Sequence, residues 1–347
     1  MSAHARPTLL VGSVNLENAE AVFRAAASIL GDTLRSMPDG ETGDRIAWIG
    51  WQGSVFQNAS FLRKSGSASG DAYGGKVREF VRYEAAGDLS QARFDDLGYA
   101  RAAIESYKTF QDLRKLGVIP AHIRFQVSLP TPIAPLAAAI EPKDFLEVER
   151  IYEQAMQKEI AKILEIVPAQ DLAIQWDVSV EIGILEGQMM KDGIQPFKNP
   201  LRELLARIAK VVDWVPIDSS VGVHLCYGDY GHKHFVEPKD MGLMVQMANG
   251  VFQAASRRID WLHLPVPIDR IDDAYYLPLK DLNEPNETVI YLGLAHRADG
   301  VQGGKQRISV AERHLKNFGI ATECGLGRRP RETITEVLQL VASLSTA

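Results

Sequence analysis

Two cysteines, Cys226 and Cys324, are all that the 347 residues contain. That is too few for a disulfide framework. The fold must rest on its core, and the pair reads as metal ligands or a nucleophile, with a single bridge as the other option. No apolar run reaches the ~18 residues of a transmembrane helix. The opening MSAHARPTLLVGS lacks the apolar segment of a secretory signal. The expectation is a soluble, cytoplasmic protein with no membrane partner. Basic clusters are missing too: 38 basic residues are spread against 44 acidic ones, so no nucleic-acid partner is expected. No GxGxxG follows the first β-like run, which argues against a dinucleotide-binding doubly wound sheet.

What is present is an alternation. Eight short β-rich runs stand at Leu9–Ser13, Leu34–Pro38, Ile123–Leu129, Leu172–Val178, Ser220–Cys226, Ile259–Leu264, Thr288–Leu294 and Gly319–Cys324. Helical patterns fill most of the gaps, as in Asn18–Leu30, Pro142–Val167 and Pro200–Val212. Several of the β runs are almost wholly apolar, as in strands covered on both faces. Eight βα units predict a single α/β (β/α)8 TIM barrel over 1–347. The rhythm breaks once, after the second run, where a loop insertion is expected at about 46–98. Its centre, Lys64–Lys76, is rich in glycine and serine and reads as a mobile loop that either caps the site or is a solvated excursion.

Barrel chemistry sits where strands end, and the ends here are unusually polar. The second run leads into Asp39 and Glu41, with Arg45 close behind; the fourth reaches Asp177; the fifth carries His224 and Cys226; the sixth carries His263; the seventh leads into His296; the eighth ends at Cys324. In the turn-like PDGETGDR, Asp39, Glu41 and Arg45 fit either a site role or a structural salt bridge. Alternate residues of a strand share a face, so the His224 imidazole and the Cys226 thiol point into one place. One histidine and two cysteines form a common zinc set that leaves a fourth position for a substrate or water. Two free buried cysteines beside a core histidine would give the same spacing. His263 is open among fourth ligand, partner of a ligand and core residue. His296 fits a general acid or base or a solvated loop histidine, and Asp177 fits a cation anchor, an orienter of another side chain or a backbone cap. His232 and His234 fit a second metal site or a solvated loop, and the solvated loop is the preferred reading. Trp48, Trp51 and Tyr73 could form an aromatic lid or simply pack.

At these residues the chain resembles the catalytic barrel of cobalamin-independent methionine synthase and its single-barrel relatives, in the superfamily that includes uroporphyrinogen decarboxylase and the zinc-dependent epoxyalkane:coenzyme M transferase. His224–Asp229, HLCYGD, is similar to that family's HxCYxD segment, and Glu323–Arg328, ECGLGR, to its DCGLKTR segment. Ile174–Asp177, IQWD, resembles the IQIDEPA strand, and Val11–Ser13 the VGSFP element. The DGE of Asp39–Glu41 is also seen in single-barrel members. The resemblance implies Zn2+ on His224, Cys226 and Cys324, with His263 where the family has a glutamate ligand. It also implies an amine-binding Asp177, a carboxylate-binding Ser13 and an acid/base His296. Asp39, Glu41, Tyr227 and Asp229 join the expected substrate side.

The departures are IQWDVSV for IQIDEPA, with Val178 in place of the glutamate, and VGSVN for VGSFP. No second, amino-terminal barrel is expected in this length. Together these imply a retained metal centre with a changed substrate. The expected reaction is transfer of a methyl or other alkyl group to a small-molecule thiol, by a monomer or homodimer. The alternative is zinc-dependent lyase or hydrolase chemistry on another small molecule.

Overall fold

The structure is a computed structural model that describes residues 5–72, 76–188, 196–228 and 234–347. Ten strands are described: β1 Thr8–Leu9, β2 Ser36–Pro38, β3 Leu62–Ala72, β4 Lys76–Ala85, β5 Arg124–Pro130, β6 Leu172–Val178, β7 Ser220–Leu225, β8 Trp261–Pro265, β9 Val289–Ala295 and β10 Gly319–Thr322. Eight of them form one parallel sheet in the order β1-β10-β9-β8-β7-β6-β5-β2. A parallel bridge between Thr8 and Leu34 joins the two edges, so the sheet closes on itself. Each barrel strand overlaps one of the eight runs read from the sequence, the first by Leu9 alone, and the fold is the expected α/β TIM barrel. None of the described helices is long and apolar enough to cross a membrane.

Strand parity builds the interior in layers. Leu9, Val11, Ala173, Trp261, Tyr291 and Ala321 form a buried apolar floor. Gly222 makes that floor possible, because a Cβ there would fall 1.9 Å from the Trp261 ring. Two residues further along the same strands, Gln175, His224 and His263 form a polar layer, and Asp177 and Cys226 follow above it. Helices seal the outside, and their starts follow local chemistry. Asn18 caps Ala19–Leu30 by accepting from the Ala21 N–H, and Asn199 caps Pro200–Asp213, where proline fits the first turn.

The insertion after β2 differs from its sequence reading. Lys64–Lys76 falls largely within a hairpin, where β3 and β4 pair antiparallel. The glycine- and serine-rich strand is a poor β former by itself. Its partner KVREFVRYEA is rich in Val, Phe and Tyr and supplies the propensity. At the base of the insertion, Phe94 meets Phe56 and Phe61 edge-on, and it meets Tyr152 of the barrel helix Phe145–Ile166 at 5.4 Å. Tyr73 lies outside the described residues.

Candidate metal centre and substrate pocket

His224 and Cys226 extend from β7, and Cys324 follows β10 by two residues. One ligand atom from each lies within 4.8 Å of the others. Cys226 Sγ is 3.7 Å from Cys324 Sγ, and His224 Nε2 is 3.8 Å from the same sulfur. Both thiols are free of a disulfide. Gly293 allows this approach: a Cβ on it would lie 2.7 Å from the Glu323 Cα, so only glycine lets the end of β10 tuck against β9. The hydrogen bond from Cys226, with the His224 imidazole beside it, holds the Cys324 thiol well below its ordinary range, against the opposing effect of burial. Cys324 also raises His224, which burial alone would lower. Two thiols, one of them more acidic than usual, beside an imidazole nitrogen form a donor set with the chemistry of a Zn2+ site. Among the described residues no other group of three His, Cys, Asp or Glu side chains converges in this way.

His263 is fully buried and lies outside this cluster. It is the register partner of His224 across β7 and β8. Its Nδ1 is 2.7 Å from His224 Nδ1, and its Nε2 is 3.0 Å from the Thr322 carbonyl. Burial, and then the neighbouring His224, lower its pKa well below the ordinary value.

A second group lies beside the first. Asp177, the register partner of His224 on β6, accepts from Gln175 Nε2 at 2.9 Å and from the Trp48 side chain. Burial raises it to about 6, while His224 opposes the rise. Glu41 is buried as well, and burial and then Asp177 push its carboxyl well above the ordinary value. Gly12 makes room for it, since a Cβ there would sit 2.6 Å from Glu41 Oε1. Glu41 (φ 48°) and Trp48 (φ 55°) are the two non-glycine residues with positive φ among those described. Such backbone costs ~1–3 kcal/mol and persists where the surroundings impose it, often at functional sites. Asp39 is occupied in holding this turn. Its oxygens accept from the Glu41 N–H at 2.9 Å, Arg45 Nη2 at 2.6 Å and Ser106 Oγ at 2.7 Å. Trp51 packs edge-on against Tyr99 at 4.9 Å.

The centre opens into a pocket of about 230 Å³ lined by Cys226, Cys324, Tyr227, His234, His296 and Glu323, among others. His296 Nε2 donates to the Val266 carbonyl at 2.8 Å, leaving Nδ1 facing Glu323 across 3.8 Å. Burial lowers the His296 pKa, so the ring is neutral at neutral pH. Ser13 abuts the chain just after Cys324: its Oγ accepts from the Gly327 N–H at 3.3 Å. The Tyr227 hydroxyl meets that of Tyr275 at 3.1 Å.

His234 corrects its sequence reading. It is paired with Glu323 at 2.8 Å and Glu237 at 2.9 Å, and Glu323 raises it to about 9 despite burial. His232 and Asp229 lie outside the described residues. Sequence reasoning passed over Glu323 and Gln175. The first stands beside a predicted ligand, and the second lies two residues before Asp177 on the same strand face; both signals were available.

No protein-family model and no curated protein matches the chain in sequence. In three dimensions it aligns with solved structures. A B12-independent methionine synthase from Shewanella sp. W3-18-1, solved in complex with selenomethionine, aligns at TM-score 0.52 and 13% identity, covering 99% of this chain and 97% of its own. A methyltransferase from Methanosarcina mazei aligns at TM-score 0.54 and 12% identity, over 99% and 94%. The fold is that of a methionine synthase-like barrel. At such identities the likeness speaks for architecture, and the chemistry must be argued from the side chains.

Proposed function

We propose that this methionine synthase-like barrel transfers a methyl or other alkyl group to a small-molecule thiol, with His224, Cys226 and Cys324 as the Zn2+ ligands. The convergence of those three ligand atoms at the mouth of the barrel carries the reading. Its structural neighbours, a methionine synthase and a methyltransferase, agree with it. Bound zinc would hold the substrate sulfur as thiolate, the reactive form.

The remaining work belongs to the chain. Asp177 and Glu41 anchor an ammonium group, because a cation between two buried carboxylates relieves the burial and repulsion that raise them both. Ser13 meets the substrate carboxylate. His296, neutral at rest, accepts the thiol proton on Nδ1 and then delivers it to the leaving group of the alkyl donor. The S–H bond breaks and a carbon–sulfur bond forms, while the donor leaves with the proton. Tyr227 walls the pocket, and Asp229 is assigned to the substrate side from its motif alone.

Cobalt-substituted protein tests the reading. Homocysteine or coenzyme M should change the cobalt spectrum by adding a sulfur ligand. A spectrum indifferent to every small thiol would instead favour lyase or hydrolase chemistry, in which the metal polarises a substrate or activates water.

A further inference from the structure

The strand-six position departs from the resemblance, and the hydrogen bonds around it determine how. His263 has no exposed surface, and its ring meets the His224 imidazole and the carbonyls of Thr322 and Leu225, of which Thr322 makes the well-aligned hydrogen bond. Its Nε2 lies 3.0 Å from the Thr322 carbonyl, which can only accept. That nitrogen therefore carries the proton. In a neutral ring, Nδ1 then has a lone pair. The His224 Nδ1, 2.7 Å away, must be the donor to it. Once His224 carries its proton on Nδ1, its Nε2 has the free lone pair, and Nε2 is the atom that faces Cys324 Sγ at 3.8 Å. Donation thus runs in one direction, from His224 to His263 to the carbonyl of Thr322.

We infer that His263 is a positioning residue that fixes the tautomer and ring orientation of His224, so that the centre holds its metal through three protein atoms and His263 is not among them. This rests on the metal site proposed above. A ligating histidine commonly gives its other N–H to a carboxylate, carbonyl or water; here a second histidine takes that place. The anchoring carbonyl belongs to the strand that delivers Cys324 two residues later, and the Thr322 hydroxyl donates to the Cys324 carbonyl at 2.7 Å. The end of β10 therefore places one ligand directly and orients another through His263.

The test uses the full-length protein. In the metal-free form, nitrogen-15 NMR of the imidazoles should show His263 protonated on Nε2 and His224 protonated on Nδ1. His224 in the Nε2–H form overturns the proposal. In the zinc-loaded form, X-ray absorption should fit one imidazole and two sulfurs from the protein, and a second imidazole at bonding distance overturns it. A wild-type protein that takes up no zinc at all defeats the metal reading itself, whereas zinc bound by two imidazoles defeats only this inference.

Substitution adds an affinity readout. His263→Asn offers an acceptor oxygen near the place of Nδ1 and should hold zinc within a few fold of wild type against a competing chelator. His263→Leu removes the acceptor and should weaken zinc by ~10–100-fold. Equal losses in the two variants, or none in His263→Leu, also overturn the proposal. If neither variant folds, the NMR and absorption measurements on the unsubstituted protein decide the matter.

Discussion

The two halves of the site are held in different ways. On one side, His224, Cys226, His263 and Cys324 ride on or just beyond β7, β8 and β10 and inherit their positions from ladder register. On the other side, Glu41 stands in a turn and Trp48 directly follows the 3-10 segment Gly43–Ala47, both at positive φ, with the turn braced by Asp39 and Arg45. The first half is set by the barrel itself. The second is imposed by contacts made after the chain has left the sheet. A site built this way can keep its metal chemistry while its substrate side changes, because altering a turn leaves strand register untouched.

The largest expected effect breaks the strand-borne half alone. Cys324→Ser removes one of three ligands and should weaken zinc binding by more than the ~10–100-fold typical of losing a ligand's hydrogen-bond partner. The fold should survive, because Cys324 lies beyond the last residue of β10. Metal content after dialysis and far-ultraviolet circular dichroism measure the two outcomes. Glu41→Gln is the counterpart and should retain one zinc per chain. If both variants lose zinc, the halves are not separable.

Asp177 joins the halves, since it sits on a barrel strand yet serves the substrate side. Asp177→Asn removes a charge-assisted contact, worth ~1.5–3 kcal/mol, and should lower affinity for an amine-bearing thiol by ~10–150-fold. Stability should move the other way, and the pH dependence gives the sign. The folded-state pKa is raised from 3.8 to about 6. The aspartate's contribution is therefore intact below its unfolded value and is lost as pH climbs through about 6. The asparagine suffers no such loss. In metal-free protein the melting temperature of Asp177→Asn should exceed that of wild type by a margin that opens between pH 4 and 6 and stays constant above. A margin that shrinks with rising pH would show the carboxylate to be stabilising there.

The same division governs what could be read from the sequence. Eight apolar runs gave the barrel because strands covered on both faces have a composition of their own. His224 and Cys226 share a strand face at a spacing of two, which any strand enforces. Cys324 required only that the last strand lie beside its neighbours. The turn side has no such regularity. PDGETGDR contains both Asp39 and Arg45 and so allows their pairing, but nothing in it says that Asp39 is fully taken up while Glu41 stays turned toward Asp177, since that depends on Ser106 and Asp177, which come from elsewhere in the chain. His234 was misread for a related reason. Its partner Glu323 is 89 residues away, and a histidine in the polar stretch GHKH looks solvated until that partner is known. The hairpin was hidden because its first strand takes its stability from the composition of the second.

The smallest effect sharpens the comparison most, because it concerns backbone. If the turn is strained to serve the substrate, Glu41→Gly should stabilise the protein while damaging binding. Glycine adopts φ near 48° freely, whereas an L-residue there costs ~1–2 kcal/mol. Removing a buried carboxyl raised by burial and by Asp177 adds to the gain. Glu41→Gln separates the two contributions, since it removes the charge and keeps the strained backbone. Chemical denaturation of metal-free protein should therefore rank Glu41→Gly above Glu41→Gln, and both above wild type. The gap between the variants should be ~1 kcal/mol, reduced somewhat because glycine also makes the unfolded chain more flexible. The same change at Val223, mid-strand in β7 and buried, should only destabilise, because regular strand backbone holds no strain to release. Glu41→Gly falling below Glu41→Gln would mean that the turn is comfortable with its glutamate, and the contrast between the two halves would then lie in charge and not in backbone.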